Sequence, residues 1–131
     1  MFTKPIDKRD FLSILWVVVM LSLIKADVFS LFIPGTAEEL AKTAARTGTA
    51  IRQLMLFGAV IGSIGLAMIP LSRILSRGVN RWLNLVVSPL YILYIVGGGV
   101  SYPHYLFLAA LEVVCLALIF WHALKWPASE P

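Results

Sequence analysis

Cysteine, histidine and charge are all scarce in this sequence, and each scarcity excludes something. The one cysteine, Cys115, rules out an internal disulfide and a cysteine-based metal cluster. It lies in an apolar run and reads as a small packing residue. The two histidines, His104 and His122, would stand about 27 Å apart on one helix at ~1.5 Å per residue, too far to share a metal or form a dyad. No Ser-His-Asp set, phosphate loop or His/Cys metal spacing is present, so no soluble-enzyme motif, metal or cofactor is predicted. Charged residues make up 14% of the chain, against about 25% in an ordinary soluble domain. The net charge is +4. Its basic residues sit at the ends of apolar stretches, which fits orientation in a bilayer and not a phosphate-tracking surface. Nucleic acid is therefore not an expected partner.

What the sequence does have is apolar length. Hydrophobic residues are 60% of the total, more than a chain of this size can bury except against lipid. A run from Phe11 to Ile33 exceeds the 7–15 apolar residues of a signal peptide and has no Ala-x-Ala site after it. It predicts a retained transmembrane helix over about 11–33, since a bilayer core needs roughly 20 residues. Pro34-Gly35 ends it, and Thr36-Ala-Glu-Glu39 reads as a capping box opening a short amphipathic helix, about 37–46, lying on the membrane surface. Glu38 and Lys42 stand at i,i+4 in it, and Thr49 is the expected cap of the next span. Further spans are predicted over about 51–71, 81–98 and 104–124, the third capped by Asn80 and kinked at Pro89 with the Leu85 carbonyl released. Gly97-Gly98-Gly99 ends that span before a short hairpin to Pro103. The expected fold is all-α, one integral membrane four-helix bundle.

Gly58, Gly62 and Gly65 share one stripe of the second span, and small residues so spaced let helix backbones approach closely. The partner is another helix of the chain or a second copy in a homo-oligomer. Orientation follows from the basic residues near span ends. Lys4, Lys8, Arg9, Arg73, Arg77, Arg81 and Lys125 belong to the two tails and the middle loop, whereas the first loop has Lys42, Arg46 and Arg52 and the third has none. Both termini are then cytoplasmic, in a multi-pass protein of the cell (inner) membrane. Trp82, Trp121 and Trp126 fall at the cytoplasmic interface.

The stretch from Ser22 to Ser30 holds the most informative residues, because Lys25 and Asp27 interrupt an apolar run and charges there are costly. At ~1.5 Å per residue, Asp27 lies about 9 Å, Glu112 about 12 Å and Tyr94 about 6 Å below the outer ends of their helices. Three helices thus bring polar groups into the outer half of the bundle, with Tyr91 a turn deeper than Tyr94. Glu112 shares its stripe with Tyr105, Leu108 and Ile119. Lys25 is about 160° around its helix from Asp27 and reaches Glu112 or an acid of a second copy instead. A carboxyl out of water favours its neutral form. That suits a proton-coupled carrier, a general acid and a structural hydrogen bond to Tyr94, Tyr91 or Ser22 alike.

The run Leu15-Trp16, Ala26-Asp27-Val28, Ser30-Leu31-Phe32 and Pro34-Gly35, then Asn80-Arg81-Trp82-Leu83-Asn84, Glu112-Val113-Val114 and Trp126-Pro127, resembles a family of small bacterial four-helix integral membrane proteins of unknown function. The resemblance spans nearly the whole chain. It implies the same topology and singles out Asp27, Asn84 and Glu112 as family-type positions without assigning them roles. From the residues themselves, three functions are in view. One is binding or passage of a small lipophilic or cationic molecule, with Asp27 and Glu112 supplying charge and Tyr94 and Tyr91 orienting it. A structural or accessory subunit without ligand is the second. The third is a membrane enzyme acting on a lipid or quinone-like substrate, with Glu112 as general acid, and it requires an apolar cavity beside the acids.

Overall fold

A computed structural model of the chain describes residues 6–98 and 102–128. Within them are five helices and no strand: α1 (Lys8–Ser30), α2 (Thr36–Thr47), α3 (Ile51–Ile74), α4 (Arg77–Gly97) and α5 (Pro103–Leu124). All except α2 are long and apolar enough to cross a membrane, so the chain has the build of a multi-pass membrane protein. Lys4, Gly99 and the hairpin residues up to 101 lie outside the described residues.

α1 is the organising element. It packs against α3 on one side and α5 on the other, α4 packs against α5, and α3 and α4 touch only sparingly. Burial follows this order, with 44% of the α1 span buried but only 11% of α3. The core runs down α1 as Leu12, Trp16, Val19 and Met20, at helical spacing, against Met68 of α3, Tyr91 of α4, and Leu116 and Ile119 of α5. The opposite faces carry exposed Leu, Ile, Val and Phe, as expected for helices whose outer surface meets lipid rather than water.

Several helix ends differ from the sequence expectation, each for a local reason. α1 closes at Ser30, three residues early, because Leu31, Phe32 and Ile33 turn with i to i+3 bonds instead of continuing the ladder. The Thr36 hydroxyl does not cap α2. It donates to the carbonyls of Ser30 (2.7 Å) and Ile33 (2.9 Å) and so satisfies the end of α1. Gly35, at φ +91°, takes the N-cap place, and Glu39 pairs with Lys42 at 3.5 Å, where the pattern had suggested Glu38. The cap of α3 is Ala50 and not Thr49. α4 begins at Arg77 with Ser76 as its cap, so Asn80 lies inside the helix, fully buried. Pro70 and Pro89 sit within helices that continue past them.

At the end of the bundle where the tails meet, cations cap helix C-termini. Arg9 donates to the Leu75 carbonyl (3.1 Å), Arg77 to those of Trp126 (2.6 Å) and Pro127 (2.9 Å), and Arg81 to that of Leu124 (3.4 Å). Charge placed there also complements the helix dipoles. Asp10 pairs with Arg73 at 3.2 Å, and Lys8 meets Nδ1 of His122 at 3.2 Å. Trp82 and Trp121 are exposed, whereas Trp126 is 3% exposed and lies under the Arg9 guanidinium. The chain turns back after α5 and folds this indole into the bundle end.

Candidate functional site

Two buried polar systems occupy the bundle, and they differ in one respect. The first lies towards the tail end. Trp16 of α1 donates its indole N–H to Oδ1 of Asn84 (2.8 Å), the Asn84 amide donates to Oδ1 of Asn80 (2.8 Å), and the Asn80 amide donates to the Ser72 carbonyl of α3 (2.6 Å). Ser88 closes the series by donating to the Asn84 carbonyl at 2.6 Å. All five residues are inaccessible to solvent. Asn80, Asn84 and Ser88 repeat every four residues along one stripe of α4. A buried polar group costs free energy unless it is bonded, and here each is. This network fixes how α1, α3 and α4 register.

The second system lies towards the opposite end. Glu112, in the middle of α5, is 2% exposed, and its Oε1 has no hydrogen-bond partner among the described residues. Asp27, Tyr105 and Cys115 are close enough to feel or exert its electrostatic influence. Tyr94 lies within electrostatic reach of Asp27 and Tyr105, and its ring meets that of Tyr91 edge-on at 6.4 Å. Three helices therefore bring two carboxyls and two phenols together. Counting from the helix ends at ~1.5 Å per residue, Asp27, Tyr94 and Tyr105 lie about 3–5 Å down and Glu112 about 14 Å down, so the first three form a rim above the fourth. Because α1 ends at Ser30, Asp27 sits in its last turn and is exposed, shallower than the sequence arithmetic placed it.

Other residues singled out from the sequence fall elsewhere. Lys25 is exposed and its Nζ lies over the Phe29 ring (5.4 Å), one turn nearer the helix end. Among the described residues the ion pairs are Lys42–Glu39 and Arg73–Asp10, so Lys25 pairs with neither acid within the chain. Tyr91 is 3% exposed and points at α3. Its hydroxyl accepts from the Gly65 N–H (2.7 Å) and donates to the Ile61 carbonyl, while its ring meets Trp16 edge-on at 5.4 Å. Of the three glycines, Gly65 alone is closely approached. A Cβ there would stand 2.5 Å from Met20 Sδ and 2.6 Å from the Tyr91 hydroxyl, whereas Gly58 and Gly62 have nothing within 4 Å. Cys115 is buried in the core. His104 bonds Ser30 Oγ (3.2 Å) and stacks on Tyr102. No group of three metal-ligating side chains exists among the described residues.

Tyr105 is the site residue that sequence reasoning passed over. Its position seven residues before Glu112, two turns up the same stripe, was the available signal. It also lines an apolar groove of about 520 Å³ between α4 and α5, with Ile95, Val96, Leu106, Ala109 and Val113 among its walls. Chemically the cluster is acidic and aromatic, with apolar space beside it, and among the described residues no Lys or Arg is ion-paired with its acids.

No curated protein and no solved structure matches the chain. A family model does, over residues 1–130, and the chain belongs to that family, a family of unknown function designated DUF6326.

Proposed function

We propose that the protein is a multi-pass protein of a bacterial inner membrane, with both termini in the cytoplasm. In this reading it binds or passes a small lipophilic or cationic molecule at the pocket formed by Asp27, Glu112, Tyr94 and Tyr105. The observation that carries this is Glu112. A carboxyl 2% exposed with an oxygen left unbonded among the described residues costs about 1–3 kcal/mol. The neighbouring Asn80–Asn84–Ser88 stripe demonstrates how this chain satisfies polar groups that serve architecture alone. The basic residues gathered at the tail end, Lys8, Arg9, Arg73, Arg77, Arg81 and Lys125, support the orientation, which puts the acid cluster in the outer half. Tyr91, first assigned to orient the ligand, is committed to α3, and Tyr105 takes that place.

A second reading, an enzyme on a lipid or quinone-like substrate with Glu112 as general acid, is favoured by the apolar groove lined by Tyr105, which is itself within electrostatic reach of both acids. Native mass spectrometry from mild detergent tests both against a purely structural role. The wild type is compared with Asp27→Asn/Glu112→Gln. A non-lipid adduct in the wild type alone supports the binding site. An adduct of lipid or quinone mass alone favours the enzyme. No adduct in either, with subunit association lost in the variant, sinks both and favours an accessory subunit.

A further inference from the structure

Building on that binding-site reading, we propose that the ligand is an amphiphilic organic cation, an amine or onium head on an apolar body. Glu112 is its counter-charge, and the α4–α5 groove seats its apolar part. Three independent features of the site converge on this chemistry.

The first is the sign of the charge. Glu112 and Asp27 lie within electrostatic reach of each other, and the ion pairs among the described residues, Lys42–Glu39 and Arg73–Asp10, include neither. Lys25, two residues from Asp27, rests over Phe29, and His104 is engaged with Ser30 and Tyr102. A carboxylate removed from water requires a cation or a proton. A neutral ligand would leave Glu112 to be neutralised by a proton, a cation can compensate it directly, and an anion would be repelled. The second feature is the rim. Tyr94 lies within electrostatic reach of Asp27, and Tyr105 of both acids; aromatic ring faces attract an organic cation most strongly where water is excluded. The third is the groove, whose ~520 Å³ lies within the range of small-molecule sites, roughly 300–1,000 Å³. Its walls are apolar, and Val96, Leu106 and Val114 are exposed along it, so it opens on the face where lipid would lie. Tyr105 belongs both to the groove and to the acid cluster, which joins a seat for an apolar body to a seat for a positive head.

The test is equilibrium binding to the full chain in lipid nanodiscs. The probes are tetraphenylphosphonium and tetraphenylborate, ions of similar size and hydrophobicity but opposite charge. Wild type is expected to bind the phosphonium saturably and the borate not at all. Glu112→Gln should weaken phosphonium binding roughly tenfold or more, the usual consequence of removing a buried counter-charge. Ala110→Phe, which fills the groove at an exposed position and leaves both acids in place, should weaken it as well. That variant carries the test if Glu112→Gln loses its helical circular dichroism. Equal binding of both ions, or phosphonium binding unchanged in both variants, overturns the proposal. If the phosphonium does not bind but native mass spectrometry finds a neutral adduct lost in Glu112→Gln, the pocket stands and the cation assignment falls. Neither probe nor adduct would end both.

Discussion

The hydroxyl of Tyr91 is seated in the backbone of α3 at Gly65, accepting its N–H at 2.7 Å. The same hydroxyl donates to the Ile61 carbonyl, the group four residues back with which a regular helix would pair that N–H. One tyrosine thus docks into the hydrogen-bond ladder of a neighbouring helix, at the level where α3 and α4, otherwise sparingly in touch, meet. Only glycine allows the approach, since a Cβ would stand 2.6 Å from the hydroxyl.

Gly65→Ala should therefore destabilise the fold by about 1–3 kcal/mol, the usual cost of overfilling a tight core. Gly58→Ala and Gly62→Ala, with open space around both positions, should leave monomer stability unchanged or slightly improved, as Ala favours helix by up to about 1 kcal/mol over Gly. Thermal unfolding in detergent separates them. A loss of oligomer in Gly58→Ala or Gly62→Ala, read by crosslinking, would show that the open part of the stripe receives a second copy. Equal stability loss at all three positions would contradict the geometry.

Trp16→Phe leaves Oδ1 of Asn84 without its 2.8 Å donor in a fully buried place. The expected cost is about 1–3 kcal/mol, with ligand adducts retained because the acid cluster lies in the other half of the bundle. Asn84→Ala should cost at least as much, since it strips partners from both Trp16 and Asn80. In a double-mutant cycle the two effects should be strongly non-additive, whereas simple additivity would mean that the network is not a unit.

Glu112→Met, similar in volume and free of the unbonded oxygen, should raise the thermal midpoint in ligand-free detergent by the equivalent of roughly 1–3 kcal/mol. It should also abolish the adduct. A residue that weakens the fold while serving binding is the pattern of a functional site. Destabilisation by Glu112→Met would instead assign the carboxyl an architectural role.

Orientation is read by an impermeant maleimide in a Cys115→Ser background. A cysteine at Ala45 of α2, exposed, should react in intact cells, and one at Ala128, also exposed, only after the membrane is opened. The reverse pattern would place the acid cluster on the cytoplasmic side.

That four helices are long and apolar enough to cross a membrane was legible in the chain because hydropathy is a local property. A run such as Phe11–Ile33 needs no knowledge of its neighbours to qualify as a span. The depth of Glu112 and Tyr94 along their helices could also be reckoned from the chain, because rise per residue converts sequence distance into depth, whereas Asp27 came out shallower because α1 ends at Ser30. What escaped were choices between near-equal local partners. Thr36 could bond forward into α2 or back to α1, and the backbone turn at 31–33 decided for α1. Asn80 could cap a helix or lie inside one, and Asn84 and Ser72 offered it partners that a cap position lacks. Lys25 could lean towards the bundle or the helix end, and Phe29 drew it to the end.

The sequence by itself determined a chain of four apolar helices with most of its basic residues flanking one set of their ends. Only the tertiary structure decided that α1 is the central helix, that the Tyr91 hydroxyl docks on α3, and that Glu112 is buried with one oxygen unbonded among the described residues. The physical reason is that side-chain pairing depends on which helices become neighbours and at what rotation. That is a property of all the interfaces at once, which no single helix carries in its own pattern.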